Sequence, residues 1–377
     1  MSNFKWKHYI NYIAVLLVTV VFSLLSVFGN LGLGSQLLLE KIAISIILAI
    51  SLSMVVGFLG ELSLGHAGFM CVGAYIGGKV CVLLDADANN HIVLIVSVLI
   101  GGLVAAACGF VIGLPALRLK GDYLAIVTLA FGEIVRSLFL NSSPESFGAT
   151  LGLKTPRYNS SFLFIYGFAF VLIALAVLQN IIRSKHGRAI TAIRDNEIAA
   201  KATGINVTKY KLTVFIVSAF FAGVAGVLFS HANYTVQSKT FDYNYSIEIL
   251  VMVVLGGMGN INGAIVSATL ITFLNEKLTT ILTGELSVLK DLLYALILIL
   301  LVIYNNAPAL KSFRSKYNLR NLSQKVAGSR QDPARRRDDE AAWDRVPTKI
   351  AMDEIISTDL KMSEESRPDK STGGEEA

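Results

Sequence analysis

The sequence predicts an all-α polytopic membrane protein: a bundle of roughly 8–10 transmembrane helices with Gly-rich broken or re-entrant elements. Three observations carry that prediction. Of 377 residues, 54% are hydrophobic and only 16% are charged, whereas a soluble domain of this length carries about a quarter charged residues. Mean hydropathy is +0.60. The apolar residues fall into blocks near the ~20-residue length that crosses a hydrocarbon core of about 30 Å.

The first block, within MSNFKWKHYINYIAVLLVTVVFSLLSVFG, has the basic start of a signal peptide. Its apolar run exceeds an ordinary h-region and no A-x-A-like site follows, so it reads as an uncleaved first span, Tyr9–Phe28. Further spans are expected at Ile42–Gly57, Ala67–Leu84, Ile92–Leu114, Tyr123–Leu140, Phe162–Ile182 and Leu212–Ser230. A longer region covers Ile247–Asn275 and a last span Leu289–Tyr304.

The formal charge is +6, but its placement speaks for lipid and against nucleic acid. Lys5 and Lys7, Arg118 and Lys120, Arg183, Lys185, Arg188 and Arg194, and Lys311, Arg314, Lys316 and Arg320 all flank apolar blocks. They fall on one side if each span crosses once, and that side is the cytoplasm by the positive-inside rule. Both termini are then cytoplasmic, and the loop Asp85–His91 lies outside.

Parity isolates the Ile247–Asn275 region. The chain stands outside before it and needs an inside tail after the last span, so the region crosses an even number of times or not fully. Its 29 residues are too few for two spans of ~20. Its middle, LGGMGNINGA (Leu255–Ala264), carries Gly256, Gly257, Gly259, Asn260 and Gly263. Two half-length helices joined at a Gly-rich break, or one re-entrant element, satisfy the count. Broken backbone at membrane depth survives only where protein or a water-filled cavity satisfies it, which points to a pathway. GFLGELSLGHAGF (Gly57–Phe69), with Gly57, Gly60, Glu61, Ser63, Gly65 and His66, is a similar break. The echo is the kind that internal repeats in transporters leave.

Small residues one turn apart, Gly73 with Gly77, Gly101 with Ala105, Gly109 with Gly113 and Ala222 with Gly226, permit close helix approach. They argue for a compact bundle and for no particular substrate. Cys71, Cys81 and Cys108 lie in apolar blocks with no metal-site spacing and read as small buried hydrophobes.

Ionisable groups inside spans are costly and are functional candidates. Glu61, Glu133 and Glu248 are such groups. Glu133 stands three residues before Arg136, so the two can pair across one helical turn; pairing and a pathway role both remain open. Glu61 and His66 can equally cap or hydrogen-bond the broken helix ends.

Between two apolar blocks lies SKHGRAITAIRDNEIAAKATGIN (Ser184–Asn206). Glu197 and Lys201 have the order of an i,i+4 pair, and Gly204 before Ile205 suits a Schellman ending. Asp195-Asn196 can cap a second short helix, so one helix or two is open. The alternative of an amphipathic helix flat on the lipid calls for a bulkier apolar face than alanines and two isoleucines supply.

No Gly-rich phosphate loop, nucleophile elbow or His-Glu-x-x-His occurs. If ATP is used, another chain binds it.

Four blocks then carry a resemblance: GFLGELSLGHAGFMCVGAY, LPALRLKGDYLAIVTLAFGEIVR, GRAITAIRDNEIAAKATGINVTKYKLTVFIVSAFFAGVAGVL and VLGGMGNINGA. In that order, over residues 40–305, they resemble the inner-membrane permease of branched-chain amino acid ABC importers. The resemblance implies a permease that translocates leucine, isoleucine or valine from an extracytoplasmic binding protein. It implies a second homologous permease and two ATPase subunits that hold the ATP and Mg; this chain binds no cofactor or metal. It places Ala199, Ala200 and Gly204 in the cytoplasmic loop 183–211 that docks on the ATPase, where Arg188, Arg194, Asp195 and Glu197 are further coupling candidates. The general importer pattern is Glu-Ala-Ala-x-x-x-Gly; here Ile198 separates Glu197 from Ala199-Ala200, while Ala-Ala-x-x-x-Gly is intact. The break glycines, Ser63, Glu61, His66 and Glu133 would line or gate the path. Urea and short-chain amide permeases share the blocks, and an ion-coupled secondary transporter relaying through Glu61 and Glu133 is the rival from another class.

The membrane domain is thus expected at 1–310 and a charged cytoplasmic tail at 311–377. That tail is too poor in apolar residues to fold alone, with Trp343 and Ile350–Ile356 as its partner-binding candidates.

Overall fold

The computed structural model describes residues 10–282, except 28–31, 85–89, 120, 157 and 159, together with isolated positions from 292 to 299. Lys5 and Lys7, most of the expected last span Leu289–Tyr304, and the tail 311–377 lie outside the described residues. The described elements all belong to one unit, Met1–Asn306.

The apolar blocks fold as α-helices because each satisfies its own backbone groups, the requirement lipid imposes. They are α1 (Ile10–Val27), α2 (Leu33–Ser53), α3 (His66–Leu83), α4 (His91–Ala116), α5 (Asp122–Leu140) and a one-turn α6 (Pro144–Phe147). Then come α7 (Ser160–Arg183), the polar α8 (Lys185–Asp195) and α9 (Glu197–Ala202), α10 (Val207–Ala232), α11 (Tyr243–Gly256) and α12 (Ile261–Ile281). Two-residue strands β1 (Leu153–Lys154) and β2 (Thr235–Val236) pair antiparallel, Leu153 opposite Val236. Among the described residues, six helices are long and apolar enough to cross a membrane: α2 with its continuation to Leu59, α3, α4, α5, α7 and α10. The chain is an all-α polytopic membrane protein.

The core sits around α10, which packs against α2, α3 and α4. Small residues make that approach possible. A side chain at Gly73 would collide with the Gly223 backbone, and one at Gly226 with the Met70 carbonyl. Both contacts join α3 to α10, the close helix approach that small residues permit.

Two elements differ from the sequence expectation. Helix α2 begins at Leu33 rather than Ile42, because charge there is accommodated: Glu40 is buried at 2% exposure, and Lys41 pairs with Glu276 of α12 at 2.6 Å. The Ile247–Asn275 region extends to Tyr243–Ile281 and forms two helices around a Gly-rich turn, of which only the first is short. Helix α11 has 14 residues, about 21 Å at 1.5 Å per residue, less than the ~30 Å hydrocarbon core. Helix α12 has 21. The Ala67 N–H donates to Ser246 Oγ at 3.1 Å, so α11 starts beside the first turn of α3.

Candidate functional site

The polar stretch folds as two helices. Ser184 caps α8 by accepting from the His186 and Gly187 N–H groups at 3.1 and 3.4 Å. At Asn196 the backbone turns extended, with φ −158°, and its side chain accepts from the Ala199 N–H at 3.0 Å to cap α9. Helix α9 ends in a Schellman turn: the Ile205 N–H donates to the Ala200 carbonyl at 3.1 Å, and Gly204 takes φ +84°. Asn206 then caps α10 through the Lys209 N–H at 3.0 Å.

This pair of helices is anchored on one face and open on the other. Ile190, Ile193 and Ala200 are buried. Arg188, Arg194, Asp195, Ala199 and Gly204 are exposed, and Ile198 stands out at 77%. Ala200 therefore seats α9, and the outward surface is Ile198, Ala199 and Lys201.

Behind the open face, both Gly-rich breaks converge. The first is a π-helical turn, Met54–Leu59, followed by non-helical residues to Gly65; such bulges collect at functional sites. A side chain at Gly57 would strike the Gly259 nitrogen, so the breaks meet backbone to backbone. Gly256 and Gly263 close the second break in the same way, each occupying the space of the other's missing side chain. Gly257, at φ +90°, turns the chain, and the Asn260 N–H donates back to the Gly257 carbonyl at 3.1 Å.

Arg194 reaches from α8 into this meeting point. Its Nη1 donates to the Gly57 carbonyl at 3.2 Å, while Nε and Nη2 hold Asp195 at 3.0 and 2.9 Å. The stem covers Gly60, where an added Cβ would lie 2.6 Å from Arg194 Cγ.

A second link is ionic. Lys211, in the first turns of α10 with its side chain 4% exposed, pairs with Glu61 of the first break and, at 3.3 Å, with Glu197 of α9. Glu197 also holds Lys201 at 3.0 Å. A buried cation needs paired carboxylates to be tolerated, so the chain Glu61–Lys211–Glu197 fixes the break to the exposed helix.

The remaining residues sit deeper or elsewhere. His66 is buried, with Nε2 2.9 Å from Ser51 Oγ, as expected of a histidine satisfied at a helix start. Ser63 is buried. Gly65 packs on α5, where an added Cβ would lie 2.6 Å from the Thr128 carbonyl. Glu133 is not at the junction; it pairs with Arg136 along α5 at 2.7 Å. No group of His, Cys, Asp and Glu suited to a metal occurs among the described residues.

Sequence reasoning identified both breaks and the polar helices but missed Lys211 and Ile198. A signal existed for the first, since a lysine entering an apolar span implies a partner; Ile198, a single apolar residue among alanines and charges, carries none in the sequence.

The chain is a multi-pass helical bundle whose glycine-broken helices are keyed to an exposed helical loop. Residues 34–303 match the family model described as the branched-chain amino acid transport system permease component. The chain belongs to that family. It is 35% identical to the high-affinity branched-chain amino acid transport system permease protein LivM of Salmonella typhimurium over 308 residues, covering 73% of this chain and 69% of the relative. Against the protein of that name in Escherichia coli it is 34% identical, covering 74% and 70%. The ribose import permease protein RbsC of Escherichia coli is 25% identical, with 71% and 84% covered. No solved structure matches the chain significantly.

Proposed function

We propose that this chain is the permease subunit of an ABC importer for leucine, isoleucine and valine. A second homologous permease, two ATPase subunits and an extracytoplasmic binding protein complete the machine. In this reading the α8–α9 end faces the cytoplasm and the protein lies in the inner membrane. ATP and Mg act on the partner subunits.

The observation that carries the reading is the double link from α9 and α8 to the two breaks: Glu197–Lys211–Glu61 and Arg194–Gly57. Docked on an ATPase through Ile198, Ala199 and Lys201, the two short helices move as that subunit closes. The ionic chain pulls on the first break, and Arg194 shifts Gly57 against Gly259. Both discontinuities of the bundle are thus moved from one surface.

The amino-acid cargo is supported by the family and by the two LivM relatives; the ribose permease keeps sugar as the competing cargo. The secondary-transporter reading loses force, because Glu61 and Glu133, its relay carboxylates, each hold a basic partner.

The test uses proteoliposomes holding the full importer with Ile198→Asp, a change on an exposed side chain. An interface anchor worth about 2 kcal/mol corresponds to roughly thirtyfold weaker docking. Leucine uptake and stimulated ATP hydrolysis should fall together, with insertion unchanged. Normal uptake would overturn the docking assignment, and uptake of ribose in place of leucine would overturn the cargo.

A further inference from the structure

Because α11 is short, the bundle is not filled at the end opposite α8 and α9. Between α2, α10, α11 and α12 lies a cavity of about 310 Å³, within the range that holds a small ligand. Its position follows from chain direction. Lys41 comes from the first half of α2, Phe229 from the last turns of α10 and Thr279 from the last turn of α12. The junction, by contrast, gathers the far end of α2 and the first turns of α10 and α12.

The lining combines both charges with apolar surface. Lys41 and Glu276 face each other at 2.6 Å and remain partly exposed, at 49% and 32%. Glu248, from α11, accepts from Asn275 Nδ2 at 3.2 Å. Ile44 and Met252 supply the apolar wall. Charges placed within apolar helices mark solute paths.

We propose that this cavity is a binding site for a free zwitterionic amino acid on its way into the permease. Lys41 takes the substrate carboxylate, Glu276 and Glu248 take the ammonium, and Ile44 and Met252 take an apolar side chain. A zwitterion inserted into the Lys41–Glu276 pair replaces one opposite-charge contact with two and adds no net charge. A singly charged solute leaves an excess charge in an apolar surround, which is costly. A neutral sugar satisfies neither end. The inference rests on the amino-acid importer reading and deepens it, since it assigns the recognition groups within the permease itself.

The test places one cysteine at the mouth, Thr279→Cys, and one inside, Ser45→Cys, in the full importer without its binding protein. Labelling with a membrane-impermeant thiol reagent from the side opposite α8 and α9 is followed against the parent protein, whose own cysteines provide the baseline. Both new cysteines should label. Leucine at about ten times its dissociation constant should slow Ser45→Cys labelling about tenfold, because only the empty fraction reacts. Leucinamide and 4-methylpentanoate, each lacking one charge, should not protect, and adding Glu248→Gln should abolish protection by leucine. Failure of Ser45→Cys to label overturns the opening. Labelling unaffected by leucine, while the intact importer still takes up leucine, overturns the site alone. Protection by ribose and not leucine overturns the cargo reading with it.

Discussion

The two breaks are alike in composition and opposite in construction. The first, Gly57–Gly65, is held by side chains: Lys211 on Glu61, Thr128 Oγ1 accepting from the Leu64 N–H at 3.0 Å, and Arg194 over Gly60. The second, Gly256–Asn260, is held by backbone closing on backbone where glycine permits it. One break therefore responds to charge and the other only to shape. The contrast suits a device in which the first break receives a signal and the second serves as the surface it moves against.

The largest expected effect breaks the second region. Gly263→Val drives a branched side chain into the Gly256 carbonyl, and no side chain can yield there. A loss above about 4 kcal/mol is expected for such an overlap, seen as failure to recover folded protein from the membrane in detergent. A normal yield would mean that the turn tolerates more than its backbone contact suggests.

Next comes the first region's cation. Lys211→Met leaves Glu61 and Glu197 without their shared partner, a change of about 3–5 kcal/mol for a broken buried pair. Glu61→Gln added to it should restore much of the thermal stability, because neutral groups need no counter-charge. Uptake should stay low, since the ionic link to α9 is gone. Equal stability of the single and double variants would show that Lys211 does not bridge the two.

Smaller effects separate the links on the exposed side. Asn196→Ala removes the α9 cap and should cost about 1 kcal/mol in thermal unfolding, with uptake reduced more than stability alone explains. Gly204→Ala faces no steric obstacle but forces a left-handed residue, again about 1 kcal/mol. Lys201→Ala, losing an exposed i,i+4 pair, should change stability by only about 0.3–0.5 kcal/mol. A larger loss of ATPase stimulation is expected from its place on the docking face; unchanged stimulation would narrow that face to Ile198 and Ala199.

Much of this architecture was legible in the sequence because lipid imposes strong rules. Most span positions among the described residues, both breaks, the Glu133–Arg136 and Glu197–Lys201 pairs and the Gly204 ending follow from local periodicity and spacing. The position of Asn196 raised the two-helix alternative without deciding it. What was not legible is long-range. Nothing local says that Gly57 meets Gly259, or that Lys211 meets a carboxylate 150 residues earlier. Glu40 and Lys41 also hid the true start of α2, since a charged pair in sequence reads as a boundary until Glu276 is known to lie opposite Lys41. Ala200, counted with the docking surface by its motif, is buried on the face by which α9 packs against α8 and α10.

That 150-residue separation has a consequence for how the protein is made. Glu61 emerges from the ribosome with the second and third helices, and Lys211 follows only with α10. Until then the first break carries a carboxylate without its Lys211 partner, and such a charge is costly within lipid. Burial of the break is therefore expected to be a late step in biogenesis, taken when α10 arrives with the matching charge. A chain truncated before α10 is expected to insert its early helices and to leave Gly57–Gly65 open to protease, which limited proteolysis of the truncated chain would read.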